Sequence, residues 1–324
     1  MLPMCPFLNT TNAMINFKLA AIITLLVICF MPHNLSAQEA SNKTIGKTLV
    51  IGKVSGSPKK HLKSLKLLAN YLVSHMQDLG YTKGKVLLSR SEQELARHLQ
   101  QGEIDLVTET PFSTMYLLAE AGVEPILRKW KKGIAEYHSV IFVRKDSGIN
   151  RLQDLKGKTI AFEDPNSTVA YYIPAYDLIT AGLNLEQLNS PREKAKTDFA
   201  GYIFSQQVIN TSLWVHKGRV NAGAMSNLDW QKNDRMPDSF HPDLKIIHRS
   251  ISIPRAIEVL RKGLPFAVKA RIKILMLNID KDPDADEILR SYQQTRNFDE
   301  LNGQTLSRSN KVDKRLNIVD EATQ

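Results

Sequence analysis

Residues 154–174 read D-L-K-G-K-T-I-A-F-E-D-P-N-S-T-V-A-Y-Y-I-P and are the most informative part of the chain. The run 158–162 predicts a buried strand, residues 164–166 predict a turn, and Ser167 and Thr168 stand where a helix begins. A helix start carries unpaired N–H groups and about half a positive charge, so hydroxyls there favour binding of a phosphate-like or carboxylate anion. The same spacing also fits a simpler role for Ser167, an N-cap worth about 1 kcal/mol.

Strands alternate with amphipathic helices on both sides of this stretch. Strands are predicted at 48–55, 85–89, 104–108, 125–130, 138–145, 220–226 and 244–250, and helices at 62–79, 91–101, 111–121, 205–217 and 265–279. This alternation is typical of crossover connections and a largely parallel sheet covered on both faces, so the predicted fold class is α/β. The pattern restarts at 158 after a polar stretch, which indicates a second lobe.

The N-terminus has the layout of a secretory signal peptide. Met14 is a second candidate start, Lys18 precedes an apolar run at 19–31, and Leu35-Ser36-Ala37 offers a cleavage point. The run is shorter than the roughly 20 residues that a membrane-spanning helix needs. We predict a cleaved signal peptide over 1–37, with Met14 as the true start, and a periplasmic protein; an uncleaved anchor is the alternative.

Composition excludes several classes of protein. With 324 residues, 43% hydrophobic and 23% charged, the chain has the proportions of folded domains and not of disordered or fibrous proteins. Its net charge of +10 suits an anionic partner, but Lys and Arg are scattered and export makes nucleic acid an unexpected partner. Both cysteines, Cys5 and Cys29, lie in the leader, so the mature chain has neither a thiol nucleophile nor a thiolate metal site.

The sequence contains no recognisable motif for catalysis or for metal binding. The 8 histidines show no close pair at ligand spacing. Asp280, Asp282, Asp284 and Asp286 alternate as in a calcium loop, but Ala285 stands where such a loop needs Gly. Neither a G-x-S-x-G nor a G-x-x-x-x-G-K motif is present. We therefore expect a protein without enzymatic activity, cofactor or metal.

Three segments form one ordered set of motifs: residues 137–149 (Y-H-S-V-I-F-V-R-K-D-S-G-I), 154–158 (D-L-K-G-K) and 164–168 (D-P-N-S-T). Together they resemble the phosphate/phosphite/phosphonate-binding proteins of ABC transporters. A later run, 217–224 (K-G-R-V-N-A-G-A), is similar to the family's G-x-V-D-A-G-A segment, with Asn221 in place of Asp. The resemblance covers nearly the whole mature chain, roughly residues 48–279.

The resemblance implies a type 2 periplasmic binding fold. Such proteins have two α/β lobes, with mixed sheets and helices on both faces, joined by two crossing strands and closing on a ligand between them. The implied boundaries are 38–144 plus 245–280 for lobe 1 and 145–244 for lobe 2. Residues 281–324 would form a polar C-terminal extension that packs on lobe 1 or is mobile.

The resemblance also implies a ligand site. In the family, Ser and Thr of the S-T motif hold the anion's oxygens, which here implies Ser167 and Thr168, next to Asn166. A first-lobe turn, G-P-x-x-Y in the family, aligns with residues 110–114 and should face the cleft. The full candidate set is Asn166, Ser167 and Thr168, then Thr110, Phe112 and Ser113, then Tyr137 and His138 beside a crossing strand, and Ser226 and Asn227 near the family's carboxylate position.

Besides Asn221, and Ser226 or Asn227 at the family's carboxylate position, further positions depart from the family pattern. Thr114 replaces a Tyr, Val169 replaces a Ser, and Gln207 and Val208 stand where a cleft His is common. A phosphonate ligand is thus inherited from the family, and a different small anion, or a zwitterion contacted by Glu109, stays open. The predicted function is capture of a small oxyanion by a monomer for an ABC permease. The alternative is an orphan periplasmic sensor that presents its ligand state to a membrane signalling partner.

Overall fold

The computed structural model describes residues 46–55 and 58–301, which belong to one compact unit. The predicted signal peptide and residues 302–324 of the predicted extension lie outside the described residues. Within the described residues, no helix is long and apolar enough to cross a membrane.

The elements follow one another in three stretches. The first holds β1 (Lys47–Val54), α1 (Pro58–Ser74), β2 (Tyr81–Ser89), α2 (Glu92–Gln100), β3 (Leu106–Glu109), α3 (Pro111–Ala121), β4 (Glu124–Lys131) and β5 (Glu136–Tyr137). The second holds β6 (Ser139–Arg144), β7 (Thr159–Phe162), α4 (Ile173–Thr180), β8 (Asn184–Gln187), β9 (Phe199–Phe204), α5 (Val208–His216), β10 (Ala222–Ser226), α6 (Asn227–Trp230) and β11 (Leu244–Arg249). The third holds β12 (Ile253–Pro254), β13 (Ile257–Leu260), α7 (Phe266–Asn278), α8 (Asp286–Ser291) and β14 (Thr295–Glu300).

The strands form two mixed six-stranded sheets. The first has the order β14-β4-β13-β3-β1-β2, and the second has the order β11-β6-β10-β7-β9-β8. In the first sheet β1 is parallel to β2 and β3, while β13 is antiparallel to β3 and β4. In the second sheet β7 is parallel to β9 and β10, while β6 is antiparallel to β10. The sheets are mixed and α/β, as predicted.

A two-stranded antiparallel pair, β5 with β12, stands where the chain passes between the sheets. Tyr137 lies opposite Ile253 in this pair. The predicted boundaries of lobe 1 include β6 and β11, yet both strands hydrogen bond in the second sheet. The chain leaves the first sheet through β5 and returns to it through β12. The boundaries between the two sheets therefore lie just after Tyr137 and just before Ile253.

The described start of the C-terminal extension belongs to the first sheet. Strand β14 pairs antiparallel with β4, and Ile288 and Leu289 of α8 join the core beneath it. Neither β13 nor β14 was predicted from the sequence.

The structure has helix-capping residues where the sequence predicts them. Ser91 accepts a hydrogen bond from the Glu94 N–H at 3.2 Å, and the Glu94 carboxylate accepts one from the Arg90 N–H at 2.5 Å, so polar side chains satisfy the start of α2. Helix α3 ends at Gly122, whose φ of 59° is left-handed.

Apolar clusters cover both sheets. Helices α1 and α7 bury residues such as Leu68, Leu72 and Ile272 against the first sheet. The second sheet has one cluster on each face, around Phe162 and around Phe142. A smaller cluster joins elements of both sheets: Phe112, Met115, Val169, Ile173 and Ile253.

Candidate functional site

The carboxyl ends of the strands define the candidate site. Strands β1, β3 and β4 run in one direction and end at the same edge of the first sheet, where β13 begins. Strands β7, β9 and β10 likewise end together, where β6 begins. In open α/β sheets ligands bind outside the carboxyl ends of the strands. The side chains at these two edges are therefore the candidates for contact with a ligand.

The turn after β7 folds as the sequence predicts. The Asn166 N–H donates to Asp164 Oδ1 at 2.8 Å, and the Ser167 N–H donates to the Asp164 carbonyl at 3.0 Å. Ser167 Oγ accepts from the Ala170 N–H at 3.2 Å, which makes Ser167 an N-cap. A hydroxyl that accepts this bond still has its own proton to donate, so the N-cap role and an anion-binding role are compatible.

Thr168 is the distinctive residue of this turn. It opens a π-helical turn, Thr168–Tyr172, that leads into α4, and such turns are frequent at functional sites. Its side chain is buried at 3% exposure, and its Oγ1 has no hydrogen-bond partner among the described residues. Buried polar atoms without a partner are uncommon in folded proteins and call for an explanation. A ligand oxygen would supply the missing acceptor.

Other buried polar atoms without a partner stand at the same two edges. Within the described residues they include Ser89 Oγ at the end of β2, Glu109 Oε1 at the end of β3 and Thr114 Oγ1 in the first turn of α3. On the second sheet Ser139 Oγ, at the start of β6, is also unpartnered. Three of these atoms come from the first sheet and its helix α3 and one from the second sheet, and all four stand near strand ends.

The predicted first-lobe turn begins α3. Thr110 Oγ1 accepts from the Ser113 N–H at 3.3 Å and so caps the helix, and Ser113 Oγ donates to Glu92. Phe112 stacks on Tyr172, with ring centroids 4.0 Å apart and planes 19° apart. Because Tyr172 precedes α4, this contact brings the start of α3 close to the start of α4.

The structure separates Tyr137 from His138. Tyr137 packs against the cluster of Phe112, and the Arg255 guanidinium carbon lies 6.0 Å from its ring centroid. Burial raises the pKa of Tyr137, so its phenol keeps its proton. His138 instead lines a separate cavity of about 420 Å³ with Asn227 and other residues, and its pKa is lowered by burial and then by Arg249.

Asn227 and Ser226 hold the start of α6. The His138 N–H donates to Asn227 Oδ1 at 2.9 Å, and the Asn227 N–H returns a bond of 2.9 Å to the His138 carbonyl. Ser226 Oγ donates to Asp229 Oδ2 at 2.6 Å and accepts from the Asp229 N–H at 2.9 Å. The structure therefore brings His138 and Asn227 to one another, and it places a carboxylate, Asp229, near the expected position. The pattern Ser-x-x-Asp at 226–229 could have revealed Asp229.

Two carboxyl groups at the carboxyl ends of the strands, those of Glu163 and Glu109, have raised pKa values. Burial, followed by the charges of Asp229 and Asp164, raises the pKa of Glu163 to about 6. Burial also raises the pKa of Glu109, although Lys53 opposes the shift. Within the described residues no group of three or more His, Cys, Asp or Glu side chains could hold a metal ion.

Basic residues that the sequence reasoning missed flank Glu109 and Thr110. Lys53 near the end of β1, Lys131 at the end of β4 and Arg255 before β13 line a small cavity with them. They are far apart in the sequence, and only the order of the strands brings the three together.

Comparisons with known proteins show the family to which the chain belongs. Residues 55–306 match the family described as "ABC transporter, phosphonate, periplasmic substrate-binding protein". The phosphonates-binding periplasmic protein of Escherichia coli is 31% identical over 162 residues, which are 48% of this chain and 44% of that protein. The aligned part thus spans less than half of that relative.

Solved structures are similar over most of the chain. The protein XAC2383 from Xanthomonas citri, in its structure with ATP, has a TM-score of 0.77 at 30% identity, over 86% of this chain and 99% of that one. PhnD1 from Prochlorococcus marinus, in complex with methylphosphonate, has a TM-score of 0.58 at 20% identity, over 84% of this chain and 98% of that one. With two mixed sheets, a crossing pair and a family match over most of its length, the chain belongs to the phosphonate-binding periplasmic substrate-binding proteins of ABC transporters and has their type 2 periplasmic binding fold.

Proposed function

We propose that the chain captures a small oxyanion, of the phosphonate, phosphite or phosphate type, between the carboxyl edges of its two sheets and presents it to an ABC permease. The observation that carries this proposal is the buried hydroxyl of Thr168 at a helix start, which has no hydrogen-bond partner in the part of the chain that the structure describes. The chemistry is binding without turnover.

The arrangement can bind an oxyanion from two sides. On the second sheet, Thr168, Ser167 and the first N–H groups of the helical turn supply donors, and a helix start favours negative charge. On the first sheet, the start of α3 supplies N–H groups near Thr110. Hydrogen bonds to a charged acceptor are roughly twice as strong as those between neutral groups, so a few donors in a closed cleft hold an anion firmly.

The named ligands of two similar structures support this class of solute. Methylphosphonate and ATP, bound to PhnD1 and to XAC2383 respectively, both carry tetrahedral phosphorus with charged oxygens. Side chains of Thr168 and Ser139 that lack partners among the described residues suit such oxygens better than they suit an apolar solute.

The cellular setting is part of the same proposal. The chain works as a monomer in the periplasm, after cleavage of the leader that the sequence predicts at residue 37. Mass spectrometry of the exported protein tests this: a mature N-terminus at Gln38 is expected, and a retained residue 1–37 segment would contradict it.

Thr168→Val is expected to weaken oxyanion binding by about 1–3 kcal/mol, because valine keeps the shape and loses the donor. The apo protein should unfold at the same temperature or slightly higher, since the lost hydroxyl has no partner among the described residues. Calorimetric titration with phosphate, phosphite, methylphosphonate, a sulfonate and acetate measures the affinity, and thermal unfolding measures the stability.

Thr180→Val is the matched control for this variant. Thr180 is exposed at the far end of α4, where its hydroxyl donates to the Tyr176 carbonyl at 2.8 Å. Its substitution should leave affinity unchanged. Equal affinity of the Thr168→Val variant and the wild type would remove Thr168 from the site, and failure of every oxyanion in the panel to bind would contradict the proposed function.

A further inference from the structure

A cavity of about 570 Å³ lies beside the candidate site on the first sheet. It shares Lys53, Lys131, Arg255 and Gln293 with the small cavity that reaches Glu109 and Thr110, so the two adjoin. Lys132 and Arg290 line only the larger one. Ligand pockets of about 300–1,000 Å³ hold molecules of drug size, and a single phosphonate group leaves most of such a space empty.

The walls of this cavity are basic. Lys53, Lys131, Lys132, Arg255 and Arg290 all line it, and none of its lining residues in the described part of the chain is acidic. No carboxylate of the described residues lies within 4.0 Å of the first four of these cations, and Arg290 pairs only with Asp286 at 3.6 Å. A concave surface of one charge sign raises the local concentration of ions of the opposite sign.

These cations are also crowded. Burial, followed by the charges of Arg255, Lys53 and Lys132, lowers the pKa of Lys131 to about 8. The Arg255 side chain is turned toward this group, since its Nη1 donates to the Lys131 carbonyl at 3.1 Å. A bound anion would reduce the repulsion among these cations, and without an anion the repulsion persists.

The backbone around the cavity is unusual too. Lys132, Gln293 and Gln294 have φ values of 55°, 60° and 54°, and all three line this cavity. A residue other than Gly rarely has a positive φ, and such conformations concentrate at ligand clamps and active sites. Among the described residues only Gln206 shares this feature elsewhere.

We infer that this cavity binds a second anionic group of the captured solute, so that the preferred solute is a compound with two or more phosphate-type groups, such as a diphosphate. The inference rests on the proposed function: one group lies at Thr168 and the start of α3, and the next lies among the cations of the first sheet. Lys53, Lys131 and Arg255 border both positions and contact the linkage between them.

The test compares pyrophosphate with phosphate and methylphosphonate, by calorimetric titration of the full exported chain at low and at physiological salt. The variant is Lys132→Asn with Arg290→Gln, because both residues are exposed and line only the larger cavity, and Asn tolerates a positive φ. The control is Lys83→Gln with Lys217→Gln, two exposed lysines elsewhere, which removes the same charge.

The wild type should bind pyrophosphate at least about tenfold more tightly than phosphate, a preference of about 1.4 kcal/mol that falls as salt rises. The double variant should lose this preference and keep its affinity for phosphate, and the control should keep both. Equal affinity of the wild type for the two anions, or an unchanged preference in the double variant, overturns the inference and leaves the proposed function standing. Absence of binding for all three anions would overturn the proposed function as well.

Discussion

Lys129→Met is expected to lower the free energy of unfolding by about 3–5 kcal/mol, because it leaves a buried carboxylate without its cation. Lys129 and Glu258 are both fully buried, on adjacent strands of the first sheet, with Lys129 Nζ 3.9 Å from Glu258 Oε1. The ammonium also lies 3.2 Å from the centroid of the Tyr292 ring. The hydroxyl of Tyr292 donates to Thr108 Oγ1 at 2.6 Å, and Thr108 donates to Glu258.

The cost of this variant should depend on pH. Burial raises the pKa of Glu258, and the charge of Lys129 opposes that shift. Without Lys129 the folded-state pKa of Glu258 rises further above its unfolded value, so the stability it contributes is present at low pH and is lost as pH rises through the folded-state pKa. Urea unfolding at pH 5 and pH 8 should therefore find the variant weaker at pH 8.

A double variant separates charge from packing. Lys129→Met with Glu258→Gln removes both charges and keeps an acceptor for the hydroxyls of Thr108 and Tyr292. It should recover much of the lost stability, since a buried ion pair replaced as a unit is often nearly neutral. A single Lys129→Met variant that loses less than about 1 kcal/mol, or a double variant no more stable than the single, would contradict a stabilising role for the pair.

Phe162→Ala should cost about 3–5 kcal/mol of folding stability. Phe162 is the last residue of β7 and is fully buried, and its ring centroid lies 5.2 Å from that of Tyr171 and 5.7 Å from that of Tyr202. Tyr171 belongs to the turn that carries Thr168, so a cavity beneath it also loosens the candidate site. Urea unfolding measures the stability loss, and calorimetric titration should find oxyanion affinity lowered too.

Phe266→Ala is the matched control for this prediction. Phe266 is 86% exposed at the start of α7, and its removal should change stability by no more than about 0.5 kcal/mol. If Phe162→Ala lost as little, the aromatic cluster would not be what holds the end of β7.

Local signals in the sequence predicted much of this fold. Helix starts and ends were predicted from contacts within a few residues: the Ser91–Glu94 pair, Pro111 with Gly122, and the turn before Ser167. The structure has a helix at each of these three places. Strand β13 escaped prediction because Glu258 interrupts its apolar run. Lys129, Thr108 and Tyr292 compensate the burial of that carboxyl, and these long-range contacts leave no mark in the local sequence.

The sequence likewise predicted some residues of the candidate site and missed others. Ser167 and Thr168 could be found from the turn that precedes them. Lys53, Lys131 and Arg255 could not, because three separate strands of the first sheet place them at one edge. Tyr137 and His138 point to different places, because successive side chains near a strand point to opposite faces: Tyr137 packs with the cluster of Phe112, and His138 lines a different cavity.

A crystal structure of the exported chain with methylphosphonate tests the central claim most directly. We expect the phosphonate between the two sheet edges, with one oxygen at hydrogen-bond distance, about 2.5–3.0 Å, from Thr168 Oγ1, and a second oxygen near the N–H groups that begin α3. Phosphonate bound only in the cavity beside His138, or a Thr168 hydroxyl bonded to the protein and out of reach of the ligand, would contradict the account.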